Sequence, residues 1–200
     1  MKIKAFETVS DIPAERWNAL ANPDPKRFNP FLSHAFYLAL EQSKSAIART
    51  GWAGRHLVLE DDGANRGIAP CFLKNHSYGE YVFDHGWADA FERAGGRYYP
   101  KLQCAVPFTP VTGSRLFAPE PLERTALAEG LIALARSSGA SSAHITFLLE
   151  TDYEALGGGD WLRRTDTQFH WQNDNYNSFE DFLGKLSSRK RKNIDRKSVV

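Results

Sequence analysis

Residues 121–149 read PLERTALAEGLIALARSSGASSAHITFLL, and this stretch decides the fold. Leu127, Leu131 and Leu134 recur at helical spacing. Pro121 stands in the first turn, and Gly139 stands where helices commonly end. A helix over 121–138 therefore runs into 143–149, a short and almost continuous apolar run of the kind that forms a buried strand. A helix feeding a buried strand predicts an α/β chain whose mixed or parallel sheet is covered on both faces.

Upstream, residues 2–8 alternate apolar and polar side chains and predict a first strand. Pro13, Trp17 and Leu20 mark a short helix after it. Ser33 is a candidate N-cap for a second helix with Phe36, Ala39 and Leu40 as its stripe. Residues 56–60 and 67–74 flank Asp61-Asp62-Gly63 and predict a hairpin, with a bulge or an edge at Pro70. Further strands are predicted at 78–84 and 101–106, with a short helix at 87–94 between them. Downstream, a short helix is expected near 152–156, a plain turn at Gly157-Gly158-Gly159, and strands at 161–164 and 168–172. Ser178 and Asp181 form a capping pair ahead of Phe179, Phe182, Leu183 and Leu186 at helical spacing.

Composition is that of a globular chain: of 200 residues, 42% are apolar and 24% charged, enough for a sizeable core without a staple. No apolar run approaches the ~18 residues of a membrane span, and the N-terminus has no apolar signal region. Cys71 and Cys104 lie in apolar runs at no metal-ligand spacing. They predict buried thiols in a reducing, cytoplasmic compartment of bacterial type. The net charge of +1 conceals an asymmetry. From Lys185 onward seven basic residues face one acid, whereas the preceding 184 residues carry 18 basic and 23 acidic side chains.

Standard catalytic signatures are missing: no Walker loop, no G-x-G-x-x-G, no H-E-x-x-H and no G-x-S-x-G. Asp84, His85 and Asp89 lack a fourth partner, so no metal is expected. A polar-aromatic belt does stand out, His76 to Trp87 followed by Arg97 to Lys101. Alternation along a strand would put Tyr78, Glu80, Val82 and Asp84 on one face. Two carboxylates there, flanked by His76, Tyr98, Tyr99 and Lys101, suit a polar ligand or a general base; a half-exposed strand with solvated carboxylates is the plainer alternative. His170, between Phe169 and Trp171, either lines a cleft or sits in the core, and His144 reads as a core histidine. The run Arg189-Lys190-Arg191-Lys192 is either a solvated helix face, a contact for RNA or another anionic surface, or a clamp for a pyrophosphate-bearing substrate.

Several of these stretches together resemble a known family: 29–36, 55–60, 74–84, 95–103, 106–113, 168–171 and 186–192. They are similar to the FemAB-like, GNAT-related proteins of peptidoglycan biosynthesis or recognition. The resemblance implies a GNAT-like mixed sheet over 1–177, with 178–200 as an amphipathic, then basic, helical segment leading towards a second GNAT-like domain. It implies an N-acyl- or aminoacyltransferase with acyl-CoA or aminoacyl-tRNA as donor and an amine acceptor such as a peptidoglycan precursor. On this view Glu80 or Asp84 is the base, and Tyr98 and Lys101 position an anionic acceptor. The Q/R-x-x-G-x-G/A acyl-CoA loop does not occur. The expectation is that this half holds no cofactor and pairs with the second domain or with itself. The rival expectation is a binding module without chemistry of its own.

Overall fold

The helix that organises the molecule is α4 (Pro121–Ser137), which buries Leu127, Ala128, Leu131 and Ala135. Pro121 takes the first helical position, and the Glu123 carboxylate reaches back to the Glu120 N–H at 3.2 Å. Gly139, at φ 65°, follows the C-cap. This computed structural model describes residues 1–157 and 161–195. The chain divides into two compact units, one spanning Met1–Trp161 and one beginning at Leu162.

In the first unit, β1 (Lys2–Phe6), β3 (His56–Asp61) and β4 (Ala64–Ala69) form an antiparallel sheet in the order β1-β3-β4. A second sheet runs β2 (Trp52–Gly54), β5 (Cys71–Lys74), β6 (Lys101–Cys104), β7 (Ala143–Ile145). Only β6 and β7 are parallel, joined through α4. The mixed α/β class read from residues 121–149 is therefore the observed one.

Both faces are covered, as helix-into-strand predicts. On β3, Val58 faces a core with Trp17 of α1 (Ala14–Ala21) and Tyr37 of α2 (His34–Gln42). Leu57 and Leu59 face the other way, onto Leu127 and Leu131 of α4. The same alternation puts Phe72 of β5 in the first core and Cys71 in the second, where Cys71 and Cys104 are direct cross-strand partners with free thiols. Among the described residues no helix is long and apolar enough to cross a membrane.

The hairpin predicted over 56–74 is divided between the two sheets. Asp62 and Gly63 are both left-handed, as a tight two-residue turn requires. The break comes at Pro70, which has no N–H to donate: β4 ends before it, β5 starts after it, and its carbonyl accepts from Ala105 N at 3.3 Å. The bulge lies earlier on the same run, at Arg66 of β4, which is left without a partner opposite the Leu59–Glu60 step of β3.

A strand at 78–84 is not formed. Gly79, Tyr81 and Phe83 have φ of 81°, 59° and 49°, which no strand accommodates. Helix α3 (His85–Arg93) follows it. Residues 143–149 are a strand only to Ile145, and α5 (Glu150–Ala155) comes next. Gly158 and Gly159 of the glycine turn lie outside the described residues, as do Arg196 to Val200.

The strands predicted at 161–164, a stretch that begins on the last residue of the first unit, and at 168–172, in the second unit, are irregular backbone. Helix α6 (Phe179–Lys185) is capped by Ser178, whose Oγ accepts from Asp181 N at 3.1 Å. Helix α7 (Ser188–Asp195) carries the basic run. Trp171, Tyr176, Phe179 and Phe182 stack and tilt against one another at 5.6–6.5 Å between ring centroids.

Candidate functional site

Antiparallel register makes Lys74, the last residue of β5, the direct partner of Lys101, the first residue of β6. Period-two alternation turns both side chains to the face opposite Leu73 and Leu102. Both are fully buried. Two like charges side by side out of water are strongly unfavourable unless they find partners.

The partners come from the irregular segment 75–84. Lys101 Nζ donates to Ser77 Oγ at 2.8 Å, to Glu80 Oε2 at 2.7 Å and to Asp84 Oδ2 at 2.5 Å, which uses all three ammonium protons. Tyr98 Oη donates to the same Asp84 oxygen at 2.7 Å. Tyr99 Oη and Ser77 Oγ share a hydrogen bond at 2.8 Å. Lys74 is held less completely. Its Nζ donates to the Tyr78 carbonyl at 3.3 Å, lies 3.9 Å from Glu80 Oε1, and sits 3.4 Å over the Trp52 ring. Glu80 Oε1 and Asp84 Oδ1 are buried without a hydrogen-bond partner.

Electrostatics separate the four charges. Burial, opposed by Glu80, brings the Lys74 amine down to about 7. Burial pushes the Glu80 carboxyl up, and Lys101 offsets this only in part. Asp84 is also penalised by burial, but hydrogen bonds from Lys101, Ser77 and Tyr98 outweigh it and hold the carboxyl well below the usual range. The environment therefore splits the two carboxylates, leaving Glu80 the better proton acceptor and Asp84 a fixed anion.

Glu80, Asp84, Tyr98, Tyr99 and Lys101, singled out in the sequence, converge here. The reason is not strand alternation. The left-handed residues at 79, 81 and 83 turn Glu80 and Asp84 inward, while Tyr78 points out at 71% exposure. His76 is at the border, its Nε2 3.1 Å from the Thr50 carbonyl. Burial and then Lys74 lower the His76 ring.

His170 is not a core residue: it is exposed in the second unit, with Nε2 3.1 Å from Gln168 Oε1. Arg189 and Lys190 are exposed on α7, whereas Arg191 reaches the Gly184 and Leu186 carbonyls at 3.3 Å and so caps α6. His144 is half-buried and pairs with Ser142 Oγ at 2.7 Å rather than with backbone. Burial and Lys101 lower its ring to about 4.

Lys74 and Ser77 escape sequence reading. Lys74 ends an apolar run like any solvent-bound terminal lysine, and only its pairing with Lys101, 27 residues on, exposes its role. A second buried network was also missed. Glu41 accepts from the Thr8 hydroxyl at 2.6 Å, from Val9 N at 3.0 Å and from His56 Nε2 at 3.4 Å, tying α2 to the end of β1 and to β3.

The family model described as FemAB-like, peptidoglycan biosynthesis/recognition, matches residues 8–199. Comparison with curated proteins gives no match.

Proposed function

The chain belongs to the FemAB-like family of peptidoglycan biosynthesis/recognition, and on that premise we propose that it forms the N-terminal, GNAT-like half of an N-acyl- or aminoacyltransferase. Its acceptor is an amine carried by a peptidoglycan precursor. The second sheet supports the GNAT-like reading: antiparallel β5 and β6 lead by way of α4 to β7, parallel to β6.

The observation that carries the catalytic reading is the sealed cluster of Glu80, Asp84, Lys74 and Lys101, all at or below 3% exposure. A fully buried double ion pair is a costly way to stabilise a fold, since well-packed apolar residues do as well or better. In the proposed reaction Glu80 takes the proton from the attacking amine, a role suited to a carboxyl raised by burial. Asp84 holds Lys101 and Tyr98 Oη in place until the anionic part of the acceptor takes them over.

The donor is not routed through α4. A helix N-terminus suits a pyrophosphate because its N–H groups are free. Here the Glu120 N–H is taken by Glu123, whose carboxylate also pairs with Arg66 Nε at 2.8 Å. Carboxylates at that end repel a CoA pyrophosphate, so acyl-CoA or aminoacyl-tRNA is assigned to the partner domain.

The test is acyl transfer by the full-length protein. Glu80→Gln is expected to lower turnover by roughly 10²–10⁴-fold, the usual weight of a general base. Asp84→Asn is expected to change KM more than kcat. Unchanged turnover in both, with circular dichroism showing both folded, overturns the assignment.

The exposed Arg189, Lys190 and Lys192 on α7 favour a second reading, binding of RNA or another anionic surface. Affinity that falls steeply with salt and disappears in the triple alanine variant supports it. Affinity indifferent to salt rejects it.

A further inference from the structure

We infer that Glu80 and Asp84 are built-in substitutes for an external ligand: Lys74 and Lys101 form a receptor for a small dianion, which enters when segment 75–84 lifts and carries its carboxylates away. The two lysines sit on paired strands, in fixed register, and stay in place when the segment moves. Their counter-charges belong to a stretch that is neither helix nor strand.

Three observations say that this stretch is the removable part. Its apolar side chains do not anchor it, because Tyr78, Tyr81 and Phe83 point to solvent at 71%, 49% and 74% exposure. Lifting it therefore gives up little apolar burial. Its backbone is strained, with aromatic residues left-handed at Tyr81 and Phe83, so release relieves an unfavourable conformation. Its ties are mostly to side chains of the site itself: beside the bonds to Lys101, Ser77 Oγ meets Tyr99 Oη at 2.8 Å, Asp84 Oδ2 accepts from Tyr98 Oη at 2.7 Å and Tyr78 O accepts from Lys74 Nζ at 3.3 Å. Phe108 N to Gly79 O at 3.0 Å and His76 Nε2 to Thr50 O at 3.1 Å tie it to backbone outside the site.

The fit is also imperfect in the way a substitute's would be. Glu80 Oε1 and Asp84 Oδ1 are buried without partners, while Lys74 Nζ has one long hydrogen bond and stands 3.9 Å from Glu80 Oε1. A free dianion can place an oxygen on each ammonium at once and make bonds that the segment leaves unmade. The hydroxyls of Tyr98 and Tyr99 add neutral donors beside it.

This deepens the transferase reading by making the acceptor's anionic group the key that frees Glu80. Dianion binding is measured without any acyl donor, so either idea can fail alone.

The probes are inorganic phosphate and glutarate, titrated into the whole chain against sodium chloride of equal ionic strength, with hydrogen exchange read on 75–84, β5 and β6. The expected result is about tenfold faster exchange in 75–84 at saturation, with β5 and β6 still protected. Response to phosphate alone identifies a phosphoryl ligand, and response to glutarate alone a dicarboxylate. Lys101→Met is expected to abolish the response, and Glu80→Gln to tighten binding about tenfold by removing the competing charge. Arg189→Ala/Lys190→Ala/Lys192→Ala is expected to leave it intact. No response beyond the chloride control in the wild-type chain, a result that needs no variant to fold, overturns the inference. So does a response that survives Lys101→Met or is lost with the α7 cations.

Discussion

Lys74 shows how one side chain reports its surroundings. Burial lowers its amine to about 7, against about 10.4 in an unfolded chain. Between those values the unfolded state binds more protons, so stability rises with pH across that window and levels off above it. Chemical denaturation from pH 7 to 10 is expected to show this rise, and Lys74→Met to flatten it. Glu41 runs the other way. Burial opposes its ionisation, but hydrogen bonds from His56, Thr8 and Val9 prevail and lower it. Its contribution is present above the ordinary carboxyl range and is lost as the pH falls through the folded value. Glu41→Gln is expected to cost roughly 1–3 kcal/mol at pH 7. It should also reduce the acid-induced loss of stability, both read from urea titrations.

Elements differ in how far their own sequence specifies them. Helix α4 has its stripe, its proline and its closing glycine within one local stretch, and it forms where that stretch says. The run 56–74 is apolar and β-branched enough for a hairpin, yet it serves two sheets because Pro70 interrupts donation on one strand. Opposite it, Gly54 ends β2, where an added Cβ would lie 2.2 Å from the Glu7 carbonyl oxygen. Backbone cannot yield there as a side-chain tip can. Gly54→Ala is expected to destabilise by roughly 1–3 kcal/mol, as a lowered denaturation midpoint. The 78–84 segment is the instructive miss. Its residue types fit a strand, but left-handed turns at 79, 81 and 83 bring Glu80 and Asp84 to Lys101 instead.

The molecule as a whole keeps its large cores within Met1–Trp161. The two faces of the sheets pack on α1 and α2 on one side and on α4 on the other, all inside that unit. A chain ending at Trp161 is therefore expected to unfold cooperatively, with a thermal midpoint within a few degrees of the longer chain's. A broad, non-cooperative melt by circular dichroism would contradict this. The buried charge cluster lies within the same unit, so phosphate or glutarate should act on the shortened chain as on the whole one.

Local order and the α/β class are written in the sequence, because helix periodicity, capping and turn chemistry act over a few residues. So are the residue types of the site: Glu80, Asp84, Tyr98 and Lys101 stand out as titratable groups among aromatics and glycines. What only the tertiary structure decided is their partnership. Lys74 meets Lys101 through a strand register set by two segments 27 residues apart, and Glu80 and Asp84 turn inward because those two buried ammoniums require counter-charges. Burial and pairing are properties of the assembled fold, and no local pattern carries them.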